Sequence, residues 1–393
     1  MKILIFSLVY YPKFIGGAEV AIKEITDRIP NEEIQFDMVT LHLDSKLPSY
    51  ERIGNINVYR VGYTGTQKNS SDSLPWYLHL NKYLMPITAL VKAIKLHKQN
   101  KYDAIWSMMA TYNSFAAVIF KMLNPKIPFI LTLQEGDPIP YIKRRAMFVY
   151  PLFKKIFTKA DHIQTISKYL ADWALDMKAK CPVTVIPNAV DFNLFSTRKP
   201  HTELEILKQK LGKKIDDIFL ITTSRLVVKN AVGDIISSMQ YLPSNVKFLI
   251  LGTGYQEVEL KEKVKTLGLE NRVIFLGYVP HKDMPQYLHV SDIFIRPSLS
   301  EGFGNSYIEA MAAGIPVIAT PVGGILDFLK DGETGLLCEV QNPSSIAQKV
   351  EKLIKDSESR DYIVKNAMEM VKEKYEWNII ANDMKNEVFL KVI

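Results

Sequence analysis

Glu301 and Glu309 stand on either side of a loop that carries two glycines, Gly302 and Gly304. Glycines let a backbone come close to a ligand. The helix predicted over 305–313 would begin there with unpaired N–H groups and a partial positive charge. Phosphate fits such a place. Neither carboxylate suits a bare phosphate pocket, but both suit hydroxyls, because a carboxylate accepts hydrogen bonds from ribose and sugar OH groups. A ligand with a diphosphate in its middle and polyols at both ends would use every part. A capped helix with two solvated glutamates is the plain alternative, and the flanking glycines argue against it.

Two cations suit the same ligand. Arg225 and Lys229, in Ser224-Arg225-Leu226-Val227-Val228-Lys229-Asn230, follow an apolar run that reads as a strand. At a strand's C-terminal end they would clamp a diphosphate, Arg as a bidentate fork and Lys as a point charge. Gly16-Gly17 lies where a first strand hands over to a helix, so it is either a second anion site or an ordinary turn. Glu135 and Asp137 close another strand. They read either as acceptor-side carboxylates or as caps of the next turn.

The elements that must hold these residues alternate along the chain. Apolar strands are predicted over 2–10, 36–41, 58–61, 104–106, 129–133, 161–167 and 183–186, with helices over 18–29, 78–98 and 113–123. Such alternation implies a doubly wound α/β domain. The turn Pro187-Asn188-Ala189-Val190-Asp191 ends it, and the polar run 196–214 leads to a second strand series at 219–223, 247–251, 272–276, 291–297 and 315–319. Domains are therefore expected over 1–194 and 195–375, with a final segment over 376–393. Asn305 or Ser306 can cap the helix over 305–313, and Gly314 and Pro316 stop it. The stretch 69–75, rich in Ser, Asn and Asp, reads as a mobile surface loop.

Composition narrows the class. At 393 residues with 47% hydrophobic and 23% charged side chains, the chain is an ordinary globular protein of more than one domain. No apolar run approaches the ~20 residues a membrane helix needs. The opening MKILIFSLVYYP lacks a small-residue cleavage site and reads as a buried strand rather than a signal peptide. Cys181 and Cys338 have no metal or redox spacing, which favours a reducing cytoplasm. A net charge of +7 allows an anionic ligand, an anionic membrane or nucleic acid, and does not choose among them. The stretch 141–159 interleaves Lys143, Arg144, Arg145, Lys154 and Lys155 with aromatic residues. It reads either as a helix lying on an anionic membrane or as a helix packed on the sheet with a solvated basic face, and the interruption at Pro151 favours the second.

With these residues assembled, the chain resembles the retaining glycosyltransferases of family 4. Their Glu-x7-Glu signature stands here as Glu301-GFGNSYI-Glu309 within PSLSEGFG…EAMAAGIPVIATPVGG, preceded by SRL…KN at 224–230. The resemblance covers the whole chain and is most specific over 220–340. It implies the GT-B fold, two Rossmann-like doubly wound α/β domains facing across a cleft, with the helix near 376–392 returning to the first domain. The implied reaction moves a sugar from a nucleotide-diphosphate sugar, UDP ahead of GDP, to an acceptor hydroxyl. Retention would follow same-face attack, in which the departing phosphate helps deprotonate the acceptor.

The resemblance also assigns residues. Glu301, Arg225, Lys229 and Gln134 would be catalytic. Gly16, Gly17, Gly302, Phe303, Gly304, Asn305, Ser306 and Glu309 would hold the donor, with Tyr278 and Val279 at the base. Gln134 departs from the family, which commonly has His there; Gln hydrogen-bonds a hydroxyl but cannot titrate, which argues against a His general base. No Asp-x-Asp pair is present for a metal–diphosphate site, so neither metal nor cofactor is expected. The expected acceptor is a glycan or lipid-linked glycan in polysaccharide or glycolipid synthesis, with no nucleic acid partner. The protein would be cytoplasmic, with peripheral contact at the inner face of the membrane. A sugar-nucleotide epimerase, a phosphorylase or a non-enzymatic nucleotide-sugar-binding protein are the alternatives on this fold. A nicotinamide dehydrogenase is disfavoured because no Gly-x-Gly-x-x-Gly follows the first strand.

Overall fold

A computed structural model describes residues 1–65 and 76–392, with Trp76 described by its backbone alone. The loop expected over 69–75 lies outside the described residues. The chain folds as two compact units, Met1–Asn188 with Trp377–Ile393, and Ala189–Glu376.

Among the described residues the first unit holds eight strands: β1 (Lys2–Phe6), β2 (Gln35–Leu41), β3 (Tyr50–Ile53), β4 (Ile56–Val61), β5 (Ala104–Met108), β6 (Phe129–Leu133), β7 (His162–Thr165) and β8 (Val183–Val185). They form one sheet in the order β3-β4-β2-β1-β5-β6-β7-β8. Every pairing is parallel except β3 with β4. β5 and β6 are buried along their whole length, as a central parallel strand covered on both faces must be. β3, which the sequence reading missed, is an edge strand with no fully buried residue. Its Tyr50-Glu51-Arg52 carries no apolar run to betray it.

The helix Trp377–Asp383 and the π-helical segment Met384–Phe389 belong to this unit. The Phe389 ring lies 5.9 Å from Phe36 and 5.1 Å from Trp106, so the segment covers core side chains of β2 and β5.

The second unit holds β9 (Ile218–Thr223), β10 (Val246–Leu251), β11 (Val273–Gly277), β12 (Ile293–Arg296), β13 (Val317–Ala319) and β14 (Leu336–Leu337), in the order β11-β10-β9-β12-β13-β14. All are parallel. Leu220, Phe248, Ile250, Ile295 and Ile318 pack with Ile346 and Val350 into its core.

Three local expectations need correction. The helix Asn305–Ala312 is capped by neither Asn305 nor Ser306; Gly304 is its N-cap, at φ +95°. A Cβ there would come within 2.5 Å of the Tyr307 ring, so only glycine fits. The polar run after residue 196 contains a helix, His201–Lys210, which buries only Leu207 and so shows little apolar periodicity. The stretch 141–159 is two helices, Ile139–Arg145 and Tyr150–Thr158, joined by a tight turn at Met147–Val149. Pro151 opens the second helix rather than breaking one, since a first-turn proline loses no helical hydrogen bond. That second helix buries Phe153, Ile156 and Phe157, while the first buries nothing.

Candidate functional site

In the second unit the chain leaves β9 toward β10 and β11 on one side, then returns to add β12 on the other. The strand order reverses between β9 and β12, and ligands of open α/β sheets bind at that reversal, beyond the strands' C-terminal ends. The loop after β9 carries Arg225 and Lys229; the loop after β12 carries Glu301. The Leu299 amide donates to the Lys229 carbonyl at 2.7 Å and stitches the two loops together. Arg225 is exposed and Lys229 half-buried.

Beneath the loops sits Arg296, the final residue of β12, which the sequence reading passed over. Its Nη2 donates to Glu301 Oε2 at 2.6 Å and to Asn230 Oδ1 at 3.0 Å, and its Nη1 to Ser306 Oγ at 2.8 Å. Asn230 in turn donates to the Arg225 carbonyl at 2.7 Å. Only 12% of the Arg296 side chain and 10% of the Glu301 side chain are exposed. Burial opposes the guanidinium charge, but Glu301 and then Tyr307 outweigh it and hold the Arg296 pKa above its ordinary value. The remaining Glu301 oxygen, Oε1, accepts from the Gly302 amide at 3.2 Å. The loop's backbone is fixed as tightly: a Cβ on Gly323, at φ +55°, would stand 1.9 Å from the Glu301 carbonyl oxygen. A cation at the end of an otherwise apolar strand was the sequence signal for Arg296.

Glu309 belongs to a different group. His281 Nε2 lies 2.9 Å from Glu309 Oε1, and the His281 ring packs 5.3 Å from Phe195. Tyr278 is exposed and Val279 half-buried just before His281. Phe303 needs correction as a donor contact, because its side chain is core, packed 5.1 Å from Phe328 and 5.6 Å from Tyr375. What it offers a ligand is backbone. Ser306 is occupied by Arg296, whereas Gly304 and Asn305 start the helix half-buried.

The first unit places its candidates separately. The Gly16 amide is taken by Glu19 Oε2 at 2.8 Å, so the chain's own carboxylate stands at that helix start; Gly17 has open space around its Cα. Gln134 exchanges hydrogen bonds with Asn188, Nε2 to Oδ1 at 3.2 Å and Asn188 Nδ2 to Oε1 at 3.3 Å. Glu135 is 3% exposed and lines a cavity of about 160 Å³ with Asp137, Arg145 and apolar neighbours. Its Oε1 accepts from the Ala110 amide at 2.5 Å, and its buried Oε2 has no partner. Burial pushes its pKa up to about 7. The helix that follows has Pro138 at its N-cap.

With that geometry in view, the chain can be compared with known proteins. Residues 15–194 match the family model Glycosyltransferase Family 4, and residues 204–370 match Glycosyl transferases group 1. N-acetyl-alpha-D-glucosaminyl L-malate synthase of Bacillus anthracis is 29% identical over 95% of this chain and 93% of its own. Alpha-monoglucosyldiacylglycerol synthase of Acholeplasma laidlawii is 21% identical over 86% and 84%. Among solved structures, Anabaena HepE in complex with UDP-glucose superposes with a TM-score of 0.79 at 20% identity, over 99% of this chain and 100% of that one.

Proposed function

The chain is a glycosyltransferase of the family 4 type with the GT-B fold, and from that premise we propose that it moves a sugar from a nucleotide-diphosphate sugar to an acceptor hydroxyl, retaining the anomeric configuration. The observation that carries the reading is the meeting of two loops at the β9/β12 reversal, one with Arg225 and Lys229, the other with Glu301 held by Arg296. When the glycosidic oxygen departs, negative charge grows on the diphosphate. Preorganised cations and helix-start amides stabilise that charge more than they stabilise the bound donor, which is what lowers the barrier. Arg225, Lys229 and the amides following Gly304 take this role, and no metal is assigned to the step.

Glu301 accepts hydroxyls of the donor sugar, and Glu309 accepts those of the ribose. Tied to Arg296, Glu301 serves as an acceptor rather than as a nucleophile, and the departing phosphate deprotonates the incoming hydroxyl on the same face. UDP is favoured over GDP as the carrier, in line with the UDP-glucose bound by HepE. The acceptor is a glycan or lipid-linked glycan met at the inner face of an anionic membrane. Supporting that contact, Phe148 is 92% exposed on a stretch of chain that also carries Lys143, Arg144, Lys154 and Lys155. No helix among the described residues is long and apolar enough to cross a membrane, so peripheral charge and aromatic contact would make the attachment.

The test is transfer from UDP- and GDP-sugars in the presence of a chelator. Arg225→Ala and Lys229→Ala are each expected to reduce turnover by ~10²-fold, the scale for one preorganised donor. Near-normal turnover in both variants would refute the clamp, and loss of activity with the chelator would refute the metal-free assignment.

A further inference from the structure

Glu309 sits on the helix Asn305–Ala312 with 14% of its side chain exposed, and the imidazole of His281 meets its carboxylate, Nε2 to Oε1 at 2.9 Å. A carboxylate has no hydrogen to give, so Nε2 carries the proton and donates. Pairs of exposed side chains contribute little, because both ends swing freely and water competes. This pair differs in two respects. Its carboxylate is largely withdrawn from water, and its imidazole, 55% exposed on the outer side, is backed by a fixed wall. That wall is Phe195, fully buried, whose ring stands 5.3 Å from the imidazole at 60°. The Phe195 backbone is held too, since His289 Nε2 donates to its carbonyl at 2.8 Å. Phe195 belongs to the short helix Phe192–Ser196, which packs against the helix that carries Glu309. Ring and carboxylate are thus placed by the same packed elements.

The position of His281 along the chain is a second, independent observation. β11 ends at Gly277, and Tyr278-Val279-Pro280 lead straight to His281, which opens a tight turn with Pro280 as its N-cap. Tyr278 and Val279 are the residues assigned to the base, and Glu309 is the residue assigned to the ribose. Base and ribose are covalently joined, so the protein groups that hold them must keep one spacing. Those groups come from separate elements, and the hydrogen bond from His281 to Glu309 ties the two together.

Resting on the ribose role of Glu309, we propose that His281 is the positioning residue of the ribose site. Its Nε2–H holds Oε1, keeps Oε2 for the ribose hydroxyls and sets the distance from that carboxylate to the base segment. A glutamate side chain that is ordered before the ligand arrives does not have to be ordered by it, which is worth roughly 3- to 10-fold in affinity. The consequence is selectivity: preference for a nucleotide with both ribose hydroxyls depends on His281, a residue that touches neither hydroxyl.

The experiment measures binding of UDP and of 2′,3′-dideoxy-UDP by calorimetry, or of the guanosine pair if the wild type binds GDP instead. His281→Phe keeps a ring against Phe195 and removes the donor. It should weaken UDP roughly 3- to 10-fold and leave the dideoxy nucleotide unchanged, so that the selectivity falls by the same factor. The loss in transfer should fall on KM for the donor rather than on kcat, because the ribose is held alike in ground and transition states. In a Glu309→Ala background, where the hydrogen bond has no acceptor, His281→Phe should change UDP affinity by less than about 2-fold. Unchanged UDP affinity in His281→Phe, equal losses for the two nucleotides, or a full loss in the Glu309→Ala background each overturn the positioning role while leaving Glu309 on the ribose. A wild type that binds both nucleotides equally overturns the ribose assignment itself. Failure to bind either UDP or GDP overturns the glycosyl-transfer reading beneath both.

Discussion

Glu301 in the second unit and Glu135 in the first are both buried glutamates in loops that follow parallel strands, and the fold treats them in opposite ways. Glu301 receives a guanidinium at 2.6 Å, and the same Arg296 is anchored to Asn230 and Ser306. Glu135 has backbone amides rather than a cation beside it, and burial pushes its pKa up to about 7. Removing a carboxylate from water costs several kcal/mol unless a partner replaces the lost hydration. The partner therefore decides whether a buried acid is a fixed charge or a group that gains and loses a proton near neutrality. The fixed charge suits the donor-sugar role proposed for Glu301.

The largest effect should come from removing the cation that makes the two differ. Arg296→Met is expected to destabilise the protein by ~3–5 kcal/mol, the cost of leaving one member of a buried pair uncompensated. Adding Glu301→Gln should recover most of that stability in urea unfolding but not the transfer activity. If the single variant is as stable as the parent, Glu301 needs no counter-charge and the contrast fails.

The next effect probes Glu135. Its folded pKa of about 7 lies above the ordinary 4.5, so the folded protein keeps a proton that the unfolded chain releases between those values. Stability from this group is complete below pH 4.5 and is lost as pH rises through 7. Glu135→Gln carries no such penalty. It should be more stable than wild type by up to ~3 kcal/mol at pH 8, with the gain vanishing toward pH 4.5. Thermal melts at both pH values measure it, and a gain independent of pH would show that the acid is not titrating.

The smallest effect separates Glu301 from Glu309. Glu309→Gln should weaken UDP binding about 10-fold, near the lower end for hydrogen bonds to a charged group, whereas Glu301→Gln should leave it almost unchanged. Calorimetry distinguishes them, and equal losses would merge the two roles.

Much of the fold was legible because its signals are local. β6 was expected over the five residues it occupies, and most other strands and helices of the sheets differ from expectation only at their ends, where capping and register intervene. The glycines around Glu301 likewise declare a close-packed turn. What stayed hidden depends on distant partners. Arg296 gains its role from Asn230, 66 positions away, and from burial that no neighbouring residue announces. Phe303 entered the donor set only through the family resemblance, and the neighbours that bury its ring, Phe328 and Tyr375, come from elements far along the chain. The apolar stripe that the helix Trp76–Asn100 turns outward, Leu80, Leu84, Ile87 and Val91, escaped for the converse reason: periodicity shows that a helix has an apolar face, not which way it points.

The return of Trp377–Ile393 to the first unit has a consequence for how a ribosome delivers this protein. Residues 1–188 emerge well before that segment, with the whole of the second unit synthesised in between. At ~5–20 residues per second, the β2 and β5 aromatics Phe36 and Trp106 wait many seconds for the Phe389 ring that covers them. During that interval the second unit can close on itself, but the first cannot. The nascent chain thus presents an unfinished aromatic surface, the kind of surface that holding chaperones bind, until residue 389 has cleared the exit tunnel.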